Sequence, residues 1–210
     1  NYLNDIPITF TEALLSPAAP FGGIYSPNAI PEIGTDFLTG CLDKSYKFVA
    51  AKVLNVFEVD VTLAVIRNAL STYSSFDDPD NPVPVVPIGT VHVAELFHGP
   101  TRAFKDLALA PFTTTVSLLA QSMQKIYLVM AATSGDTGPA LLDGLADKAN
   151  TFGVCLYPDD ATSEVQKLQM VTADSPNLKV IGIKGNFDNA QTELKRLLAS
   201  NDFKLRLAER

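Results

Sequence analysis

Between Lys125 and Ala132 the chain runs Lys-Ile-Tyr-Leu-Val-Met-Ala-Ala and then breaks at Thr133-Ser-Gly-Asp-Thr-Gly138. A nearly unbroken apolar run of strand length, closed by a glycine turn, is what a strand buried on both faces and feeding a helix requires. The pattern of strand, glycine turn and helix recurs from Thr90 onward. Val91 to Phe97 is a short β-like run, followed by His-Gly-Pro-Thr and a helix through Met123. Thr151 to Tyr157 leads into a helix near Ser163, and Leu178 to Lys184 leads through Gly-Asn-Phe-Asp to a helix from Asn189. Such alternation predicts an α/β fold with a parallel sheet and flanking helices. In these sheets ligands gather at the carboxyl ends of the strands, where the sequence places His98 to Thr101 and Thr133 to Gly138.

Upstream the periodicity changes. Asn1 to Phe76 reads as mostly helical: Tyr46, Val49, Ala50 and Val53 share one face of a helix that Asp43 is positioned to cap. Leu63, Ile66 and Leu70 repeat the pattern after Asp60. Pro20 to Pro27, with paired glycines between prolines, is turn chemistry. Prolines at 79, 82, 84 and 87 remove backbone donors and predict an extended connector. The expected organisation is a helical domain over 1–76, a Pro-rich connector over 77–89 and an α/β region over 90–210.

Composition bounds the function classes. The 210 residues suffice for one domain, or for two small ones. A hydrophobic fraction of 47% suits an ordinary globular chain. The net charge of −7, with 16 basic residues scattered among 23 acidic ones, argues against nucleic acid as a partner. No apolar run approaches the roughly 20 residues that span a bilayer. Asn1 to Phe10 lacks the basic and apolar regions of a signal peptide, and a trimmed start is expected because the first residue is not Met. Cys41 and Cys155 lie far apart and read as free, buried thiols in a reducing compartment, which points to the cytoplasm. His92 and His98 stand six residues apart, which is not metal-ligand spacing.

Two segments carry candidate chemistry. In Glu95-Leu-Phe-His-Gly-Pro-Thr-Arg-Ala-Phe-Lys-Asp106, Thr101 is a good N-cap and Lys105 falls in the first turn of the next helix. The positive helix end opposes an ammonium there by about 0.3–1 kcal/mol. That is too little to make the amine a nucleophile without burial. These residues alone fit either a Schiff-base lysine or a lysine that snorkels to solvent.

The turn at Thr133 to Gly138 places small residues where successive N–H groups converge at a helix start. Ser134 and Thr137 add hydroxyl donors, so the turn suits a carboxylate or phosphate. It equally suits an ordinary strand–helix turn capped by Asp136. It is neither a Walker loop nor a dinucleotide fingerprint. Lys184 to Asn189 is a similar turn, read as a loop capped by Asp188 or Asn189.

Together these segments resemble threonine synthase. Positions 95–106 match the family signature around its cofactor lysine, except at Arg102, where the family usually has an apolar residue. Thr133 to Gly138 matches its substrate loop. Pro20 to Pro27, Tyr157-Pro158 with Gln166 to Met170, and Gly185 to Asp188 match shorter stretches in the same order. The resemblance implies a fold-type-II, tryptophan-synthase-β-like enzyme that depends on pyridoxal 5′-phosphate. It would be a carbon–oxygen lyase of threonine biosynthesis, turning O-phospho-L-homoserine and water into L-threonine and phosphate.

On this resemblance Lys105 forms the Schiff base and shuttles protons, and Phe104 lies beside the cofactor. Ser134, Asp136 and Thr137 hold the substrate carboxylate or lie against the cofactor. Monomer and homodimer stay open. The family's chains are longer, and their later part supplies the groups for the cofactor phosphate and pyridine nitrogen, which are not found here. A fragment, inactive by itself, is therefore expected. A related phospholyase and a non-enzymatic α/β binding module are the alternatives.

Overall fold

The computed structural model describes residues 7–17, 19 and 23–208. Of the turn expected over Pro20 to Pro27, residues 20–22 lie outside the described residues, as do both chain ends. The helical block contains α1 (Phe10–Leu15), α2 (Thr35–Thr39), α3 (Tyr46–Val56) and α4 (Leu63–Leu70), followed by a 3-10 turn at Ser71–Ser75. Thr9 and Glu12 form a reciprocal capping box at the start of α1.

The caps of α3 and α4 differ from the expected ones. Ser45 and Thr62 accept the N–H groups of Phe48 and Val65, each at 3.3 Å. Asp43 sits in a left-handed turn at φ 58°. Asp60 is drawn away to the Thr11 N–H at 2.8 Å. In both places a hydroxyl stood closer to the helix than the carboxylate did.

Ile66, Leu70, Tyr73 and Phe76 make the buried centre of this block. Tyr73 packs edge-on against Tyr46 (centroids 5.1 Å apart) and Phe76 (5.3 Å). Leu107 joins the cluster from the long helix α5 (Asp106–Ser122), so the helical block is sewn to the helix that follows Lys105. Pro111, inside α5, cannot donate to the carbonyl of Leu107. The Tyr73 hydroxyl donates to that carbonyl instead, at 2.7 Å.

Beyond the helical block, Val85–Ile88 (β1) and Val91–Ala94 (β2) pair as an antiparallel hairpin across Gly89-Thr90. Gly89 has φ +60°, the conformation a tight hairpin turn demands. The strand expected from Val91 is therefore not part of the parallel sheet. Both hairpin strands are exposed, and Pro87 lies opposite His92.

The alternation predicted from the apolar runs is present from β3 onward. β3 (Tyr127–Ala132), α6 (Thr137–Leu145), β4 (Thr151–Pro158), α7 (Glu164–Val171), β5 (Leu178–Ile183), α8 (Phe187–Ala199) and α9 (Asn201–Ala208) follow in order. The sheet is parallel, in the order β3-β4-β5, with Ala131 opposite Cys155 and Cys155 opposite Val180. β4 is flanked on both sides and largely buried; β3, expected to be buried on both faces, is half-buried at an edge. The second core cluster, Leu142, Cys155, Tyr157 and Met170, packs α6 and α7 onto β4. Burial pushes the Cys155 thiol up to about 12, so it stays protonated. Cys155 is fully buried, whereas Cys41, also free, is only half-buried.

Candidate active site

Lys105 stands at the N-cap position of α5, with helical dihedrals and its carbonyl accepting the first helical N–H groups, from Ala108 at 3.1 Å and Leu109 at 2.8 Å. Thr101 does not cap the helix as expected. It serves the loop instead: its N–H and hydroxyl both donate to the Asp106 carboxylate, at 2.9 and 2.6 Å. Asp106 is only 2% exposed. A side chain on Gly99 would land on that carboxylate, so the glycine is what lets Asp106 close the loop. The half-buried Lys105 ammonium lies 4.8 Å from the centre of the half-exposed Phe104 ring, within cation–π range. Among the described residues it has no hydrogen-bond or ion-pair partner.

Arg102 occupies the left-handed region at φ 62° and directs its guanidinium to Asp77. Asp77 also meets His98 Nδ1 at 3.1 Å, while His98 Nε2 meets Glu95 at 2.8 Å. The two carboxylates, Glu95 first, raise the imidazole above its ordinary value. The Asp77 carboxyl is lowered by hydrogen bonds from Arg102 and His98. This charged cluster anchors the start of the lysine loop to the end of the helical block, where the Asp77 N–H also donates to the His98 carbonyl at 3.0 Å.

The second loop leaves the carboxyl end of β3, where the Thr133 N–H donates to the Leu156 carbonyl at 3.0 Å. Thr133 is its hub. The hydroxyl oxygen, buried at 2% exposure, accepts the N–H groups of Gly135 at 3.0 Å and Gly138 at 3.1 Å, and donates to the Gly135 carbonyl at 3.1 Å. Ser134 and Asp136 point outward and Thr137 is half-buried. Among the described residues the hydroxyls of Ser134 and Thr137 have no protein partner, nor do the N–H groups of Ser134, Asp136 and Thr137. Asp136 makes no capping bond; its carboxylate accepts from Gln166. Pro139 is the third residue of α6, still within the turn whose N–H groups lack helical partners.

No hydrogen bond joins Lys105 to Ser134, Asp136 or Thr137 among the described residues. The loops are linked through α7. Gln169 donates to the Thr101 carbonyl at 3.1 Å, and Gln166 donates to Asp136. Met170 beside them packs into the space left by Gly138, where an added Cβ would also lie 2.8 Å from Thr133 Cγ2 and 3.0 Å from Cys155 Sγ. Thr133, Asp106 and both glutamines were missed as site residues in the sequence. The only local signal was Ser163-x-x-Gln166, the pattern of a capping box.

The parallel-sheet rule placed both loops at strand ends, but only Thr133 to Gly138 occupies such a place; His98 to Thr101 follows the hairpin. A cavity of 300 Å³ lies behind the loops, lined by Thr101, Pro139, Asp143 and Gln169 among others. A larger apolar gap of 470 Å³ lies among helices, lined by Phe10, Tyr46, Ile66, Tyr73 and Pro111. Neither is lined by Lys105 or by Ser134, Asp136 and Thr137. The third turn places Asn186 at the N-cap of α8, in a reciprocal box with Asn189, so the cap is neither Asp188 nor Asn189 alone.

Comparison with known proteins finds threonine synthases and threonine synthase-like proteins. The description "Threonine synthase N terminus" matches residues 4–72. The threonine synthase of Schizosaccharomyces pombe is 32% identical over 207 residues, covering 93% of this chain and 40% of that protein. Over 93% of its own length the chain is similar to the amino-terminal part of threonine synthases. A crystal structure titled PLP-bound threonine synthase from Brucella melitensis aligns with a TM-score of 0.84 and 32% identity, over 93% of this chain and 43% of that one. Yeast threonine synthase aligns equally well, at a TM-score of 0.84 and 29% identity, over 93% of this chain and 42% of that one. The chain spans about 40% of the length of the threonine synthases it matches. Among the described residues no helix is long and apolar enough to cross a membrane.

Proposed function

We propose that this chain is the lysine-bearing part of a threonine synthase that converts O-phospho-L-homoserine and water to L-threonine and phosphate. The observation that supports it most is the unpartnered Lys105 ammonium at the head of α5, tied through α7 to a turn with spare donors. Pyridoxal 5′-phosphate fits this arrangement: a half-buried amine with no competing partner is available to its aldehyde, and the exposed face of Phe104, at 52% exposure, offers an apolar neighbour. When bound, that group supplies an electron sink for the carbanions of such an elimination and hydration. The amine of Lys105 holds the cofactor and moves protons at the substrate's carbon atoms. Ser134 and Thr137 present hydroxyls, and the turn's free N–H groups receive the substrate carboxylate. The free thiols suit a reducing compartment, and we place the protein in the cytoplasm.

The test uses the intact protein. The visible absorption of lysine-bound cofactor and the formation of threonine are both expected to vanish in Lys105→Ala. An intact parent protein that shows no such absorption would overturn the reading. A second reading has support from rat threonine synthase-like 2, which is 30% identical over 206 residues. On that reading the protein would be a phospholyase, eliminating phosphate without hydrating the product and yielding 2-oxobutyrate and ammonia instead of threonine.

A further inference from the structure

We infer that Gln166 and Gln169 are positioning residues that set the lysine loop and the substrate turn in register. This rests on the function proposed above. Both glutamines are half-buried, lie three residues apart on α7 and so share one helix face. The Ser163 hydroxyl donates to Gln166 Oε1 at 2.7 Å, which fixes the amide orientation and aims its NH₂ at Asp136. Gln169 Nε2 donates to the Thr101 carbonyl, and Thr101 in turn is held by buried Asp106, one residue beyond Lys105. One short helix therefore grips both loops, and among the described residues no hydrogen bond joins the loops directly. Without the clamp, each loop keeps its own internal bonds but loses its placement against the other.

Misplacement of about 1 Å at a reacting centre costs on the order of a hundredfold in rate, so the two contacts act differently. Gln166 governs the turn that receives substrate, and Gln169 governs the loop that carries the amine.

The experiment replaces each glutamine by methionine, which keeps the bulk and removes the donor, in the intact protein. It reads KM for O-phosphohomoserine, kcat, cofactor affinity by absorption titration, Tm and amide hydrogen exchange. Gln166→Met is expected to raise KM about tenfold with cofactor affinity unchanged, equivalent to about 1.4 kcal/mol. Gln169→Met is expected to lower kcat about tenfold and weaken cofactor binding, with KM nearly unchanged. Gln169→Glu opposes the Thr101 carbonyl with a carboxylate and should be worse than methionine at neutral pH. Its kcat should recover relative to Gln169→Met as acid protonates it and restores a donor.

Amide exchange should accelerate over 99–105 in Gln169→Met and over 133–138 in Gln166→Met, whether or not cofactor is present. Kinetic losses that merely track a fall in Tm, or exchange that is unchanged in those segments, would overturn the clamp. An intact parent that binds no pyridoxal phosphate would refute the proposed function, and the exchange result alone would then decide the clamp.

Discussion

The hydroxyl of Tyr73 donates to the backbone carbonyl of Leu107 at 2.7 Å, the carbonyl that Pro111 leaves without a helical donor. A proline near the start of a helix that carries the key lysine is thereby tolerated, because a side chain from the helical block supplies the missing bond. Tyr73→Phe keeps the ring packing and removes only that donor. It should cost about 1–3 kcal/mol, the usual penalty for an orphaned buried acceptor. Urea unfolding of the intact protein, with the m-value unchanged, checks this.

Thr133→Val should damage the turn without changing its volume. The Gly135 N–H loses its acceptor, and the Gly138 N–H keeps only the Gly135 carbonyl at 3.2 Å. The expected loss is about 2 kcal/mol of stability, with weaker substrate binding. Thr133→Ser, which restores the hydroxyl, should recover most of both. Paired unfolding and KM measurements separate the two variants.

Gly138→Ala forces a methyl group towards Met170 Sδ, Thr133 Cγ2 and Cys155 Sγ at once. Overpacking of this kind costs about 1–3 kcal/mol. Met170→Ala in the same chain should relieve part of it. A double-mutant cycle on Tm tests for that coupling.

The His98 cluster carries a pH dependence. Its imidazole is raised by Glu95 and then Asp77, so the folded state holds the proton more tightly than the unfolded chain does. The stabilisation is complete below the unfolded value of about 6.5 and fades as pH rises through the higher folded value. The stability difference between the parent and His98→Gln should therefore shrink towards alkaline pH. An imidazole titration by NMR, with a midpoint at or below the unperturbed value, would contradict this.

Much of the architecture was legible because it is local. The runs at Lys125 to Ala132, Thr151 to Tyr157 and Leu178 to Lys184 gave β3, β4 and β5 nearly to the residue. The helix expected near Ser163 is α7, which Ser163 caps. What failed was pairing and competition. Val91 to Ala94 has strand character, but which strand it meets depends on Gly89-Thr90 turning it back on Val85 to Ile88. Thr101 has the chemistry of a cap, yet the carboxylate of Asp106 competes for it and wins. The bridges from Gln169 to Thr101 and from Gln166 to Asp136 span 68 and 30 positions of sequence, beyond any periodicity.

The way Thr133 gathers the amides of Gly135 and Gly138 has a consequence for how the loop could change over evolution. One hydroxyl absorbs the donors that face inward, so the shape of the loop is underwritten from beneath. Among the described residues the hydroxyls of Ser134, which is exposed, and Thr137, which is half-buried, support none of that shape. A lineage could exchange them while the scaffold stayed still. Within these six residues the shape is carried by one side chain and the variation is left to the others.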